Sequence, residues 1–110
     1  MIRLVTSRAT PREISDMLKT LQSYIKVAVD VRKEILAGGG VMHADCEAVL
    51  LENGSKQDDV WGADWIPGKK KVEFHSLINI RPRLKNRSME IQDKKVRDQV
   101  EKVVKKLLDA

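Results

Sequence analysis

The sequence predicts an α+β domain in which a three-stranded antiparallel meander is packed on one face by an N-terminal helix and a C-terminal helix. Three observations predict it. Apolar residues recur at three- and four-residue spacing from Ile14 to Leu36, at two-residue spacing from Val41 to Arg81, and at helical spacing again after Asp93. Each change of period is marked by breakers, Gly38-Gly39-Gly40 at the first and the loop from Pro82 to Gln92 at the second.

The N-terminal helix starts at Thr10-Pro11-Arg12-Glu13, where a capping threonine, a proline at the first helical position and a glutamate three residues after the cap satisfy the orphan amides of a helix start. Ile14, Met17, Leu18, Leu21, Ile25, Ala28, Val29, Ile35 and Leu36 form its apolar stripe. Carried to the glycines, such a helix would be about 40 Å long, so a kink or split near Gln22-Ser23 is expected. Residues 25–31 also alternate like a strand, and two helical pieces are the reading adopted here.

The meander follows. Residues 41–52 make the first strand, Asn53-Gly54 opens a loop, residues 60–66 make the second strand, and Pro67-Gly68 turns into a third over 71–81. With Pro67 and Gly68 as the two central turn residues, Trp61 faces Phe74, Ala63 faces Val72 and Asp64 faces Lys71. Trp61, Ala63, Trp65, Val72, Phe74, Ser76, Ile78 and Ile80 then belong to the core face, joined by Met42, Ala44, Cys46, Ala48 and Leu50. The reverse face gathers His43, Asp45, Glu47, Asp64, Glu73, His75, Asn79 and Arg81. The last helix carries Val96, Val100, Val103, Val104, Leu107 and Leu108 on one side.

Composition bounds the function. With 110 residues, 42% of them hydrophobic and 34% charged, the chain is expected to be one domain spanning residues 1–110. A net charge of +5 permits attraction to anions. The single cysteine excludes an internal disulfide and any zinc site built on several thiolates. It also excludes a zinc deaminase reading of His43-Ala44-Asp45, whose signature needs a glutamate and a distant cysteine pair. The amino terminus lacks the apolar run of a signal peptide, and no segment approaches the ~20 apolar residues that cross a bilayer. A soluble, cytoplasmic protein without membrane attachment is expected.

No motif defines a reaction, and whether the protein is an enzyme stays open. Candidate acid, base or carboxylate groups are His43, Asp45, Glu47 and His75, and candidate ligands for a divalent metal are His43, Asp45, Asp64 and His75, although no cofactor is evident. A solvated sheet face laced with ion pairs is the competing explanation of these residues. Cys46 alternates away from His43 and reads as a small core residue, as the two tryptophans read as core. Asn79, Arg81, Asn86, Arg87 and Ser88 lie in a basic stretch suited to gripping phosphate or carboxylate. The first expectation is therefore a binding module for an anionic small molecule, RNA or an acidic protein. A small acid/base or metal-assisted hydrolase is the second, and a homo-oligomer, such as a homodimer formed through a strand edge, the third.

The strings Gly39-Gly40-Val-Met-His43-Ala44-Asp45-Cys-Glu47-Ala48-Val-Leu-Leu-Glu52, Gly54-Ser55-Lys-Gln57, Trp61-Gly62 and Ile78-Asn79-Ile80-Arg81-Pro82 with Asn86-Arg87-Ser88 resemble a family of small prokaryotic proteins known as domain of unknown function 5674. The resemblance runs from about Thr10 to Leu108 and implies no activity, substrate or cofactor. Members of that family tend to enter the last helix through Asp-Pro, where this chain has Asp93-Lys94.

Overall fold

The computed structural model describes residues 2–109; Met1 and Ala110, the ends of the expected domain, lie outside the described residues. Strand β1 (Arg3–Val5) is followed by helix α1 (Pro11–Leu18), strands β2 (Ile25–Asp30) and β3 (Ile35–Gly38), helix α2 (His43–Glu52), strands β4 (Val60–Ile66) and β5 (Lys71–Glu73), and helix α3 (Lys94–Leu108). The sheet is antiparallel, with strand order β1-β3-β2-β4-β5. The α+β class holds, but the sheet has five strands rather than three.

Helix α1 begins as expected. Thr10 Oγ1 accepts from the Glu13 amide at 3.1 Å, and the Thr10 amide donates back to the Glu13 carboxylate at 2.8 Å. It ends after two turns, so the second helical piece is not formed. Its residues make the β2–β3 hairpin instead, in which Val27 and Val29 point to one core and Ala28 to the other. An alternating run buried on both faces reads as continuously apolar, which is why it also fits a helical stripe. Asp30 closes the hairpin by accepting from the Arg32 and Lys33 amides at 2.9 Å each, and Glu34 adopts φ 56°. The triple glycine therefore ends a strand, with Gly39 at φ 100° turning the chain toward α2.

The expected first strand, 41–52, is helix α2. Its buried positions are His43, Cys46, Glu47 and Leu50, the i, i+3, i+4, i+7 pattern of one helical face. Two of those four are polar, so the helical period is invisible to a count of apolar residues, while the small residues between them imitate a strand.

The β4–β5 connection takes four residues, Pro67 to Lys70, with Lys70 at φ 49°. The register shifts by two: Trp65 faces Val72 and Asp64 faces Glu73 rather than Lys71. A shift of two preserves parity, so Trp61, Ala63, Trp65 and Val72 share one face, where α1 and α3 cover them through Met17, Val100, Val103, Val104 and Leu107. The third strand stops at Glu73, and a single-turn helix at Leu77–Asn79 follows the His75–Glu90 bridge. Helix α2 covers the reverse face, burying Cys46 and Leu50 against Ala28, Ala37 and Val60. Met42, Ala44, Ala48 and Ile80, expected in the core, are exposed, the last because the third strand has already ended at Glu73. Asp93 caps α3 by accepting from the Lys95 amide at 2.8 Å.

Candidate functional site

The short β5 leaves part of β4 without a neighbouring strand, and side chains complete that edge. Asn79 Oδ1 accepts from the Gly62 amide at 2.8 Å, and its Nδ2 donates to the Gly62 carbonyl at 3.0 Å, as the backbone of a paired strand residue would. Two residues along, Arg81 Nη1 donates to the Val60 carbonyl at 2.5 Å and to the Gln57 carbonyl at 2.7 Å, while Nη2 meets Glu47 Oε2 at 2.7 Å. The guanidinium also lies 5.4 Å from the centre of the Trp61 ring. Burial pulls the Arg81 group below its usual value, with Glu47 opposing the shift, and it stays charged at neutral pH.

Asn86 braces the following loop. Its Nδ2 donates to the carbonyls of Asn79, Ser88 and Glu90, and its Oδ1 accepts from the Gln92 amide. Ser88 Oγ accepts from the Glu90 amide. Of the residues expected to bind an anion, Asn79 and Asn86 are thus buried and Arg81 half-buried, all three bonded within the fold; Ser88 serves the loop, and Arg87 is exposed. Arg83 pairs with Asp58 at the surface.

The open feature lies at the other end of α2. A cleft of about 370 Å³ runs between the start of that helix, β4 and residues 75–78. Both histidines, Lys26, Asp64, Tyr24 and Ser76 supply its polar lining; Met42, Leu77, Ile78 and Met89 supply most of its apolar lining. His43 is 8% exposed. Its Nε2 lies 3.0 Å from the Ala63 carbonyl and 2.9 Å from Asp64 Oδ1. A carbonyl oxygen only accepts, so Nε2 carries a hydrogen shared between these two acceptors. The basic nitrogen of the neutral ring is therefore Nδ1, which makes no hydrogen bond among the described residues.

Lys26 and Asp64 stand directly opposite each other on β2 and β4. They form no ion pair, and Lys26 has no carboxylate partner among the described residues. Asp64 also faces Glu73 across β4 and β5, so Lys26, Asp64 and Glu73 form one cross-strand row. A second cleft of about 450 Å³ adjoins the first, shares Tyr24 and Asp64 with it, and reaches Lys69 and Glu73. Helix α2 enters with Met42 as its cap residue and no side-chain hydrogen bond, so the positive end of its dipole opens beside the cleft.

Among the expected acid/base and metal-binding residues, His43, Asp64 and His75 line this cleft. Asp45 points to solvent from the first turn of α2, and Glu47 is held by Arg81. A helix sends residues two apart to different sides, so His43 and Asp45 do not converge. No three His, Cys, Asp or Glu residues among the described residues cluster as metal ligands. Cys46 is buried away from the cleft's opening, its thiol donating to the Lys26 carbonyl and pushed above its usual value by burial. Lys26, Tyr24 and Met89 are lining residues that sequence reasoning missed, and Met42, Ala44, Ser76 and Ile78 are lining residues that it placed on the core face. Lys26 carries a signal, being the one charge inside the run Ile25-Lys26-Val27-Ala28-Val29; only a strand reading turns it toward Asp64.

Among the described residues no helix is long and apolar enough to cross a membrane. No curated protein and no solved structure matches the chain. A family model described as "Protein of unknown function (DUF5674)" matches residues 3–107. A match of that extent shows that the chain belongs to the DUF5674 family, an uncharacterised group.

Proposed function

We propose that the protein is a binding module for a small anionic ligand, taken up in the cleft at the start of α2 with Lys26 as the anchoring cation and His43 and His75 beside it. The observation that carries this reading is Lys26, a half-buried residue that lines the cleft and has no carboxylate partner among the described residues. A lysine charge with no fixed carboxylate partner inside a cleft is left to pair with an anion from solution. The cleft volume of about 370 Å³ falls in the ~300–1,000 Å³ range of small-molecule sites, so of the expected anionic partners it fits a small molecule rather than RNA or an acidic protein. The uncapped end of α2 adds partial positive charge.

Titration of the ¹⁵N-labelled protein with inorganic phosphate and with 4-methylpentanoate tests this. Saturable shifts centred on Lys26, Asp64 and His75 are expected from at least one anion, weakening with added salt and vanishing in Lys26→Met. Absence of saturable shifts from both anions, or undiminished binding by Lys26→Met, removes the reading.

One observation favours a second reading, acid/base hydrolysis in the same cleft. Asp64 holds His43 by Nε2–H and leaves Nδ1 as the base, the relation of an orienting carboxylate to a catalytic imidazole. Among the described residues no hydroxyl or thiol donates to His43, so water rather than a side chain would be the nucleophile. An activity toward small phosphate or carboxylate esters that falls at least about tenfold in both His43→Gln and Asp64→Asn would carry this reading. Activity indifferent to both substitutions would end it.

A further inference from the structure

The polar lining of the cleft is not simply cationic. Across the sheet its charges run Lys26, Asp64, Glu73, positive at one end and doubly negative at the other. Cross-strand partners place their Cβ atoms about 5 Å apart, so Lys26 could reach Asp64, yet the two are not paired. Asp64 Oδ1 is instead taken by His43. Asp64 Oδ2 and the Lys26 ammonium then have no ion-pair partner among the described residues, and both residues line the cleft.

The acidic end carries more negative charge than its neighbours neutralise, for a separate reason. Like charges directly opposite on adjacent strands repel, and Asp64 faces Glu73 in this way. Lys71 approaches Glu73 at 3.7 Å, but no lysine or arginine pairs with Asp64 among the described residues. A cationic group entering between the two clefts would sit against both carboxylates, because the clefts share Asp64.

The rim adds a third requirement. Met42 is 51% exposed and Leu77 is 64% exposed, and these two large apolar side chains flank the opening from α2 and from the turn at Leu77–Asn79. Exposed apolar groups beside a charged cleft gain by covering an apolar part of a ligand.

We infer that the cleft takes a zwitterion of the α-amino-acid type with an apolar side chain. Its carboxylate meets Lys26, its ammonium meets Asp64 on the Glu73 side, and its side chain lies against Met42 and Leu77. The inference rests on the small-anion reading above and narrows it, since it adds the need for a positive group on the same molecule. A ligand with only one charge leaves either Lys26 or Asp64 without a charged partner of its own from the ligand, whereas a zwitterion matches both within a single small molecule.

Three probes separate the parts: L-leucine, 4-methylpentanoate, which lacks the ammonium, and 3-methylbutylamine, which lacks the carboxylate. Calorimetric or NMR titration of the full chain is expected to give leucine an affinity at least about tenfold above either analogue, one hydrogen-bonded charge being worth that much. Asp64→Asn keeps an acceptor for His43 and so preserves the cleft. In that variant leucine should lose its advantage, while 4-methylpentanoate binds as well as before or better. Glycine should bind at least about tenfold more weakly than leucine, for want of the apolar contact. If 4-methylpentanoate binds as tightly as leucine, or Asp64→Asn leaves leucine affinity unchanged, the zwitterion inference fails while the anion reading stands. If no probe carrying a carboxylate and no phosphate binds, both fail.

Discussion

Arg81 shows how a residue with the chemistry of a ligand anchor can be a structural one. Its side chain is 10% exposed, that of Glu47 is 12% exposed, and the guanidinium makes three hydrogen bonds that close the unpaired edge of β4 and fasten α2 to it. Removing one member of such a pair leaves the other charge buried alone, which typically costs about 3–5 kcal/mol, whereas replacing both by apolar groups is often close to neutral. Arg81→Ala is therefore expected to lower unfolding free energy by about 3 kcal/mol in urea titrations, and the double variant Arg81→Met with Glu47→Leu to recover most of that loss. An Arg81→Ala protein as stable as the parent would remove the clasp. His43 and Asp64 form the comparable pair at the other end of α2, but there both residues line a cleft and the partnership leaves Nδ1 and a carboxylate oxygen without a hydrogen bond among the described residues. The difference between clasp and candidate site is what remains open after the fold has been satisfied.

At the scale of elements, α1 is the clearest case of local chemistry deciding structure. Two turns are too short to stand alone in water, and its start depends on Thr10 and Glu13 while its side is tied to β1 by Arg3, whose Nη2 meets Asp16 Oδ2 at 2.9 Å. Thr10→Ala should lower stability by about 1 kcal/mol. The carboxyl groups add a pH dependence. The backbone hydrogen bond from Thr10 holds Glu13 below its ordinary value, and the hydrogen bond from Arg3 does the same for Asp16. Carboxyls lowered in the folded state stabilise it above their unfolded values and stop doing so as pH falls through the folded ones. Hydrogen exchange at α1 amides should thus accelerate relative to α3 on acidifying through and below the ordinary carboxylate range. An unchanged α1-to-α3 ratio would contradict this.

The same elements explain what could be read from the sequence. The starts of α1 and α3 were legible because capping is a matter of a few adjacent residues. Helix α2 was not, because two of its four buried positions are His43 and Glu47, buried only by virtue of Asp64 and Arg81 far along the chain. Misreading that helix as a strand set His43 beside Asp45 and Glu47; in the structure those acids go elsewhere, and the pairing of His43 with Asp64 depends on tertiary contact. The face that the tryptophans share survived a wrong turn length because a slip of two keeps side chains on their own side.

For the molecule as a whole, the decisive feature is a sheet with a core on each face. Strands β2 and β4 belong to both: Val27, Val29, Trp61, Ala63 and Trp65 face α1 and α3, while Ala28 and Val60 face α2. Neither core can loosen without moving backbone that the other core rests on, so α2 and the candidate cleft should unfold with the tryptophan side rather than before it. Leu50 is fully buried among Ala28, Ala37, Cys46 and Val60 and has no part in the tryptophan cluster. Leu50→Ala is expected to cost about 2–5 kcal/mol through lost burial and the cavity left behind. Because the strands are shared, that cost should appear equally in tryptophan fluorescence, which reports the opposite face, and in far-ultraviolet circular dichroism, which reports all the helices. Coincident transitions shifted by the same amount mark a single cooperative unit. An early loss of helical signal in Leu50→Ala, with the fluorescence midpoint left where it is in the parent, would instead mean that α2 is a separately melting cover and that the cleft beneath it opens without disturbing the rest of the fold.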